Sequence, residues 1–325
     1  MPYLHFMKRL AVLTVLIIPL LLLCSSWGFF AHRRINQLAI FTLPPEVIGF
    51  YKSGNKYIVE HAVDPDKRRY IDTLEAARHY LDVENYEENI DSIPAHYKDA
   101  LAKYGLKKLN ASGIVPWQIQ RTYYSLINAF KTHDSLKILK YSAELGHYIG
   151  DAHVPLHTTH NHNGQLTDQV GIHAFWESRI PELFASEYHF LVGRAKYLEN
   201  PLKTAWKIVK HSHSLLDTVL KFEARLSKTF PSDQKYSFSE RSNTVTKQYS
   251  VAYAKAYQEV MNGMVEKQMR SAILAIGSFW YSAWVDAGQP ELKNLIKTPL
   301  DPLETKSVEL IEKKFQEGKI IGREN

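Results

Sequence analysis

Residues 146–177 read GHYIGDAHVPLHTTHNHNGQLTDQVGIHAFWE. His147 and Asp151 are four apart, His173 and Glu177 are four apart, and His157 lies between the pairs. Side chains four apart on a helix share a face. Paired His and carboxylate groups on facing helices are how a helical bundle aims metal ligands into its core. Zinc accepts such imidazole and carboxylate donors. One His/acid pair at this spacing is ordinarily a surface ion pair or a solvated face. Two pairs with a His between them, inside one short segment, point to a metal. His160, His162 and Asp168 are also of ligand type, but a polar loop accounts for them, and His153 reads as structural or exposed. Upstream, Asp64 and His79 sit in HAVDPDKRRYIDTLEAARHYLD, where spacing alone singles out neither. His32 follows Trp27 by five residues.

Helices have to position these groups. Apolar residues recur at helical spacing over 33–52, with an interruption at Pro44-Pro45. The same pattern predicts helices over 94–105, 116–131, 133–151, 173–188, 203–226, 241–262 and 264–287. Strand-like alternation is nearly absent. Pro155, Asn161–Gly171 and Pro231-Ser232 mark loops. No internal repeat or low-complexity linker is visible. The expectation is an all-α protein: one helical domain over 27–290 and a charged, Pro-containing peripheral tail over 291–325. A hydrophobic content of 45% with 23% charged residues supports a sizeable core.

The first 26 residues read as an export signal. Lys8 and Arg9 precede an apolar run from Leu10 to Leu23, and Cys24-Ser25-Ser26 supply small residues before Trp27. The run falls short of the ~20 residues that span a bilayer. Acylation at Cys24 is disfavoured by Leu23, which stands where a small residue is expected. Cleavage before Trp27 gives an exported protein, periplasmic or secreted. It also removes the only cysteine. Disulfides, thiolate ligands and a Cys nucleophile are then excluded, and a metal has to be held by His, Asp, Glu and backbone groups. A freed amine at Trp27 can chelate together with its own carbonyl. Removing Lys8 and Arg9 lowers the net charge from +6 to 38 − 34 = +4, mildly basic and compatible with a phosphate-bearing substrate.

The ordered set Trp27, His32, Asp64, His79, His147, Asp151, His157, His173 and Glu177 resembles the ligand set of the three-zinc phosphodiesterases. That superfamily holds bacterial phospholipase C and the single-strand-specific zinc nucleases. The resemblance runs from Trp27 to about Gly288 and is most specific in GHYIGDAHVPLH and HAFWE. It implies three Zn2+ ions in a cleft of a helical domain. Asp151 and a water would bridge two ions. One of these takes Asp64, His79 and His147, and the other takes His32 with the amine and carbonyl of Trp27. His157, His173 and Glu177 would hold the third. Asp66, two residues after Asp64, is the alternative carboxylate. The implied chemistry is phosphodiester hydrolysis by a water whose pKa falls from ~16 to around 7 on zinc. Asp64 would orient or deprotonate it. No Ser-His-Asp arrangement competes.

The two branches differ around the metals. Glu177, where the nucleases usually have Asp, and the short His157–His173 interval resemble phospholipase C. The choline-binding positions of that enzyme are not reproduced, since Phe30, Pro65 and Ala76 stand there. The nucleases place a phosphate-contacting basic residue three after the first Asp, which falls on Lys67, followed by Arg68 and Arg69. Their base pocket falls on Tyr80 and Asp82, and Trp176 beside Glu177 is also nuclease-like. Lys-Arg-Arg is equally a solvated turn, Tyr80 a core aromatic and Asp82 a helix cap. Together these positions favour single-stranded nucleic acid or nucleotide over phospholipid. Aromatic stacking on a base is worth ~1–3 kcal/mol. A zinc-stabilised binding protein without catalysis is a third reading. Structural zinc sites are normally closed by four ligands, whereas a terminal amine leaves room for water.

Overall fold

The computed structural model describes residues 29–241, 244–293, 295 and 302–318. The expected signal, residues 1–26, and Trp27 lie outside the described residues. The described residues are all-α apart from one hairpin. In order it forms α1 (Phe29–Ala39), α2 (Pro45–Ser53), α3 (Asn55–His61), α4 (Asp64–Arg68), α5 (Val83–Tyr86), α6 (Tyr97–Ser112), α7 (Val115–Lys131) and α8 (Ser135–Ala152). A 3-10 turn over Pro155–Thr158 leads to α9 (Ile172–Ala174), a π-turn over Phe175–Arg179 and α10 (Ile180–Phe184). Then follow α11 (Pro201–Thr229), strands β1 (Tyr236–Arg241) and β2 (Thr244–Tyr249), α12 (Val251–Val260), α13 (Met264–Asp286) and α14 (Pro302–Gln316). None of the described helices is long and apolar enough to cross a membrane.

The α8 helix is the centre of the fold. Its start is fixed by Asp134, whose side chain accepts from Lys137 N at 3.0 Å. From Leu145 to Ala152 it is buried on every side, as a core helix rather than a surface one. The α1, α7 and α13 helices pack around it. Trp280 of α13 donates to Ser142 O at 2.9 Å and stacks on Tyr51 of α2 at 4.8 Å. Two glycines on α8 let α1 come close. A methyl group on Gly146 would meet Asn36 Oδ1 at 1.9 Å, and one on Gly150 would meet His32 Nδ1 at 3.0 Å. Within α1, Asn36 donates to His32 O at 2.9 Å, one turn back. The glycines that flank His147 and Asp151 thus bring His32 to the same place.

Two elements depart from expectation. The helix expected over 241–262 begins ten residues later, where Ser250 caps it by accepting from Tyr253 N at 3.1 Å. Ahead of it lies the antiparallel hairpin, with Tyr236 opposite Tyr249. The β-branched run Thr244-Val245-Thr246 suits a strand better than a helix. The stretch expected as a peripheral tail contains α14, which packs on α4 and touches Phe29 through Phe315.

Candidate metal centre

Eight donor side chains converge, seven from six elements and one, His79, from the end of a further turn. The α1 helix supplies His32, α4 supplies Asp66, and His79 follows a 3-10 turn. The α8 helix supplies His147 and Asp151, the 3-10 turn after it supplies His157, and His173 and Glu177 come from α9 and the π-turn. They form three groups: His32 with His147 and Asp151, Asp66 with His79 and His147, and His157 with His173 and Glu177. Asp151 joins the first two. Its Oδ1 lies 3.3 Å from His32 Nε2, and its Oδ2 lies 3.0 Å from His79 Nδ1 and 3.3 Å from His147 Nε2. Glu177 joins the third to the first, with Oε2 2.8 Å from His173 Nε2 and Oε1 3.1 Å from His32 Nε2.

The tautomers show what the arrangement lacks. His147 Nδ1 sits 2.9 Å from Ala62 O, and His157 Nδ1 sits 2.7 Å from His79 O. A carbonyl only accepts, so each Nδ1 carries the proton, and a neutral ring turns an Nε2 lone pair inward. Those lone pairs face other acceptors. His147 Nε2 is 3.1 Å from His79 Nδ1, and His157 Nε2 is 3.0 Å from His173 Nε2 and 3.3 Å from Glu177 Oε2. Asp151 Oδ2, buried among them, accepts no hydrogen bond from the described residues. Acceptors turned on acceptors repel unless protons or cations lie between them. The nitrogen and oxygen donors fit zinc.

Without metal, protons fill that role. Burial lowers the pKa of His32, but Asp151 and Glu177 outweigh it and hold the ring well above its ordinary value. His79 is likewise opposed by burial, yet Asp151 and Glu75 raise it to about 9. His157 is raised by Asp151 and Glu177 against its burial. Burial would raise Asp151 and Glu177, and the surrounding histidines drive both well below the carboxylate range. The charged form of His79 therefore stabilises the metal-free fold fully below its ordinary pKa, and this contribution fades as pH rises through about 9. Zinc needs the neutral ring, so its uptake strengthens over the same range. Calorimetry in buffers of different ionisation heat is expected to show proton release when zinc binds at pH 7. Uptake without proton release would contradict a proton-loaded cluster.

The expected site residues separate on this geometry. His32, His79, His147, Asp151, His157, His173 and Glu177 are together. Asp64 stands apart: its Oδ2 is 2.6 Å from His61 Nδ1, outside the three groups, and Asp66 faces the histidines. Asp66 Oδ1 lies 3.7 Å from His79 Nδ1 and 3.8 Å from His147 Nε2. Lys67 points to the C-terminal helix, with Nζ 2.7 Å from Glu312 and 5.6 Å above the Phe315 ring. Counting three residues from Asp66 reaches Arg69, which is buried with Nη1 3.9 Å from Asp66 Oδ1. Tyr80 and Asp82 lie beside the cluster, because Leu81 N donates to His157 O at 2.9 Å. Both are buried, however, at 5% and 2% exposure. The Ala111–Gly113 turn packs on them: Tyr80 donates to Ala111 O at 3.3 Å, and Asp82 N donates to Ser112 O at 2.8 Å. His153 is buried, donates to Ile149 O at 2.7 Å and is pushed down to about 4 by desolvation. It is a structural histidine. His160 and Asp168 stay exposed. Trp176 is buried with its Nε1 unpaired among the described residues. It faces an apolar hollow that His32, Ile35, Glu177, Val265 and Met269 also line.

Sequence reasoning did not anticipate Glu75. It stands four residues before His79, a spacing that could have been noticed, and is fully buried behind it. A search of the curated proteins finds no match. The model of one family, S1/P1 Nuclease, matches residues 27–276. That span contains all eight converging donors and most of the chain. A buried His/carboxylate constellation on an all-α frame, within a match of that extent, places the chain in the S1/P1 nuclease family of zinc-dependent phosphodiesterases.

Proposed function

We propose that this protein hydrolyses phosphodiester bonds of single-stranded nucleic acid or nucleotides, with three zinc ions held by the converging donors. The observation that carries the reading is the set of buried acceptors turned on one another, with His147 common to two of the three groups and Asp151 in reach of the rings of both. The ligand roles belong to His32, Asp66, His79, His147, Asp151, His157, His173 and Glu177, joined by the amine and carbonyl of Trp27 once the export signal is removed. Zinc bound there supplies Lewis acidity toward the phosphoryl oxygens and lowers the pKa of coordinated water.

The chain's own groups orient and balance charge. Asp151 sits between His32 on one side and His79 and His147 on the other, so it fixes the spacing of two binding positions. Glu177 holds the third position against the first. Arg69, three residues after Asp66, takes the phosphate-contacting role in place of Lys67. Its guanidinium is always charged and matches a phosphate in bidentate fashion. A nucleobase that reaches Tyr80 and Asp82 has to move the turn over Ala111–Gly113, which makes base recognition a step of induced fit. With residues 1–26 read as an export signal, the activity belongs outside the cytoplasm.

The test is hydrolysis of single-stranded DNA and of phosphatidylcholine, side by side, by protein produced with its own signal. DNA cleavage that a chelator abolishes and zinc restores, with lipid intact, is the expected result. Cleavage of lipid alone would transfer the site to phospholipase C chemistry. Zinc binding without cleavage of either would favour a structural role.

A further inference from the structure

A buried polar network stands behind His79. Glu75 has no solvent exposure. Its Oε1 accepts from the Tyr148 hydroxyl at 2.5 Å. Its Oε2 accepts from Arg68 Nε at 3.1 Å and from Arg78 Nη1. Arg68 also reaches Glu144 at 2.6 Å and the Tyr148 hydroxyl at 3.1 Å. Two guanidiniums thus flank the Glu75 carboxylate. The remaining neighbour is His79. Its Nδ1 faces Asp151 and Asp66, while its Nε2 makes no hydrogen bond among the described residues and has Glu75 Oε1 in front of it at 3.5 Å, a separation that a small ring shift closes.

We infer that Glu75 is a positioning residue for metal binding: its carboxylate is placed to accept the Nε2–H of His79 and so to commit the Nδ1 lone pair to the metal cluster. A buried imidazole with an acceptor on one side and a cation site on the other has one productive tautomer. A carboxylate behind the ring selects it, limits ring rotation and makes the donor nitrogen more basic. Arg68, Arg78 and Tyr148 hold the carboxylate in place, and Tyr148 also meets the His79 and His147 rings edge-on at 5.6 and 5.7 Å. The order of contacts, from Glu144 through Arg68 and Glu75 to His79, ties the ligand to α4 and α8 at once. This inference rests on the zinc reading proposed above.

The test is zinc retention by the holoprotein against a competing chelator, with zinc-loaded and metal-free melting temperatures measured in parallel. In Glu75→Gln the charge behind His79 is lost and the shape is kept. The expected result is a 10- to 100-fold weaker hold on one zinc per chain, the range for lost partners of metal-bound histidines. The melting-temperature gain on adding zinc should shrink with it. Tyr148→Phe leaves the charge balance at the arginines intact and releases one bond that fixes the carboxylate. It should move zinc retention in the same direction by a smaller factor, and it serves if Glu75→Gln does not fold. If both forms of each folded variant lose stability equally while zinc affinity stays at the wild-type value, Glu75 serves only the arginines and the inference fails. A wild-type protein that holds no zinc would instead remove the zinc reading itself.

Discussion

Asp151→Asn is expected to cut phosphodiester hydrolysis about a thousandfold and to strip zinc from two of the three positions. The argument is one of geometry. Asp151 is the carboxylate shared by the His32 group and the His79 and His147 group, at 3.0–3.3 Å from all three rings. Asparagine keeps the volume, removes the charge and turns an amide N–H toward nitrogens that need a cation. A metal contributes several kcal/mol of transition-state stabilisation, and each 1.36 kcal/mol is tenfold in rate. The control is Asp168→Asn. Asp168 is exposed, and its φ of 57° suits asparagine well. Zinc per chain by atomic emission, with initial rates on single-stranded DNA, distinguishes the two. Equal loss in both variants would contradict a bridging Asp151.

The second large effect separates two acids two residues apart. Asp66→Asn is expected to lower activity about a hundredfold with loss of one zinc, since roughly 2.7 kcal/mol corresponds to two decades. Asp64→Asn should cost less than about threefold. Asp66 faces His79 and His147, whereas Asp64 is engaged by His61 at 2.6 Å. A partly exposed pair of that kind contributes about 0–1 kcal/mol. Comparable zinc loss in Asp64→Asn would return the ligand role to Asp64.

That pair also shows where the sequence stops being legible. His147, Asp151, His173 and Glu177 were readable because they lie on helices at a four-residue spacing, which puts each pair on one face whatever else the fold does. Asp64 and Asp66 lie in a five-residue helix with Pro65 between them. Positions two apart on a helix point about 200° apart, so only one can face the histidines. The choice depends on how α4 docks and on His61 taking the other acid, neither of which is local. The π-turn over Phe175–Arg179 was invisible for the same reason: it widens a helix that reads as regular. The all-α character was legible from apolar spacing, while the hairpin over 236–249 was hidden because its strands are short and paired only with each other. Gly146 and Gly150 were in plain view in GHYIGDAH. Their role in admitting Asn36 and His32 needs the partner helix to be seen.

Phe29 opens α1 and Phe315 lies in α14, near opposite ends of the chain, yet their rings are 5.6 Å apart. Phe315 also meets Tyr70 edge-on at 5.1 Å, and Glu312 holds Lys67 of α4. Synthesis runs from Phe29 to Phe315, so the helices that carry His32 and Asp66 are made before the segment that fastens them to each other. Closing this face is therefore a long-range event, with the loop-closure entropy such an event costs. A chain lacking α14 has no such clasp.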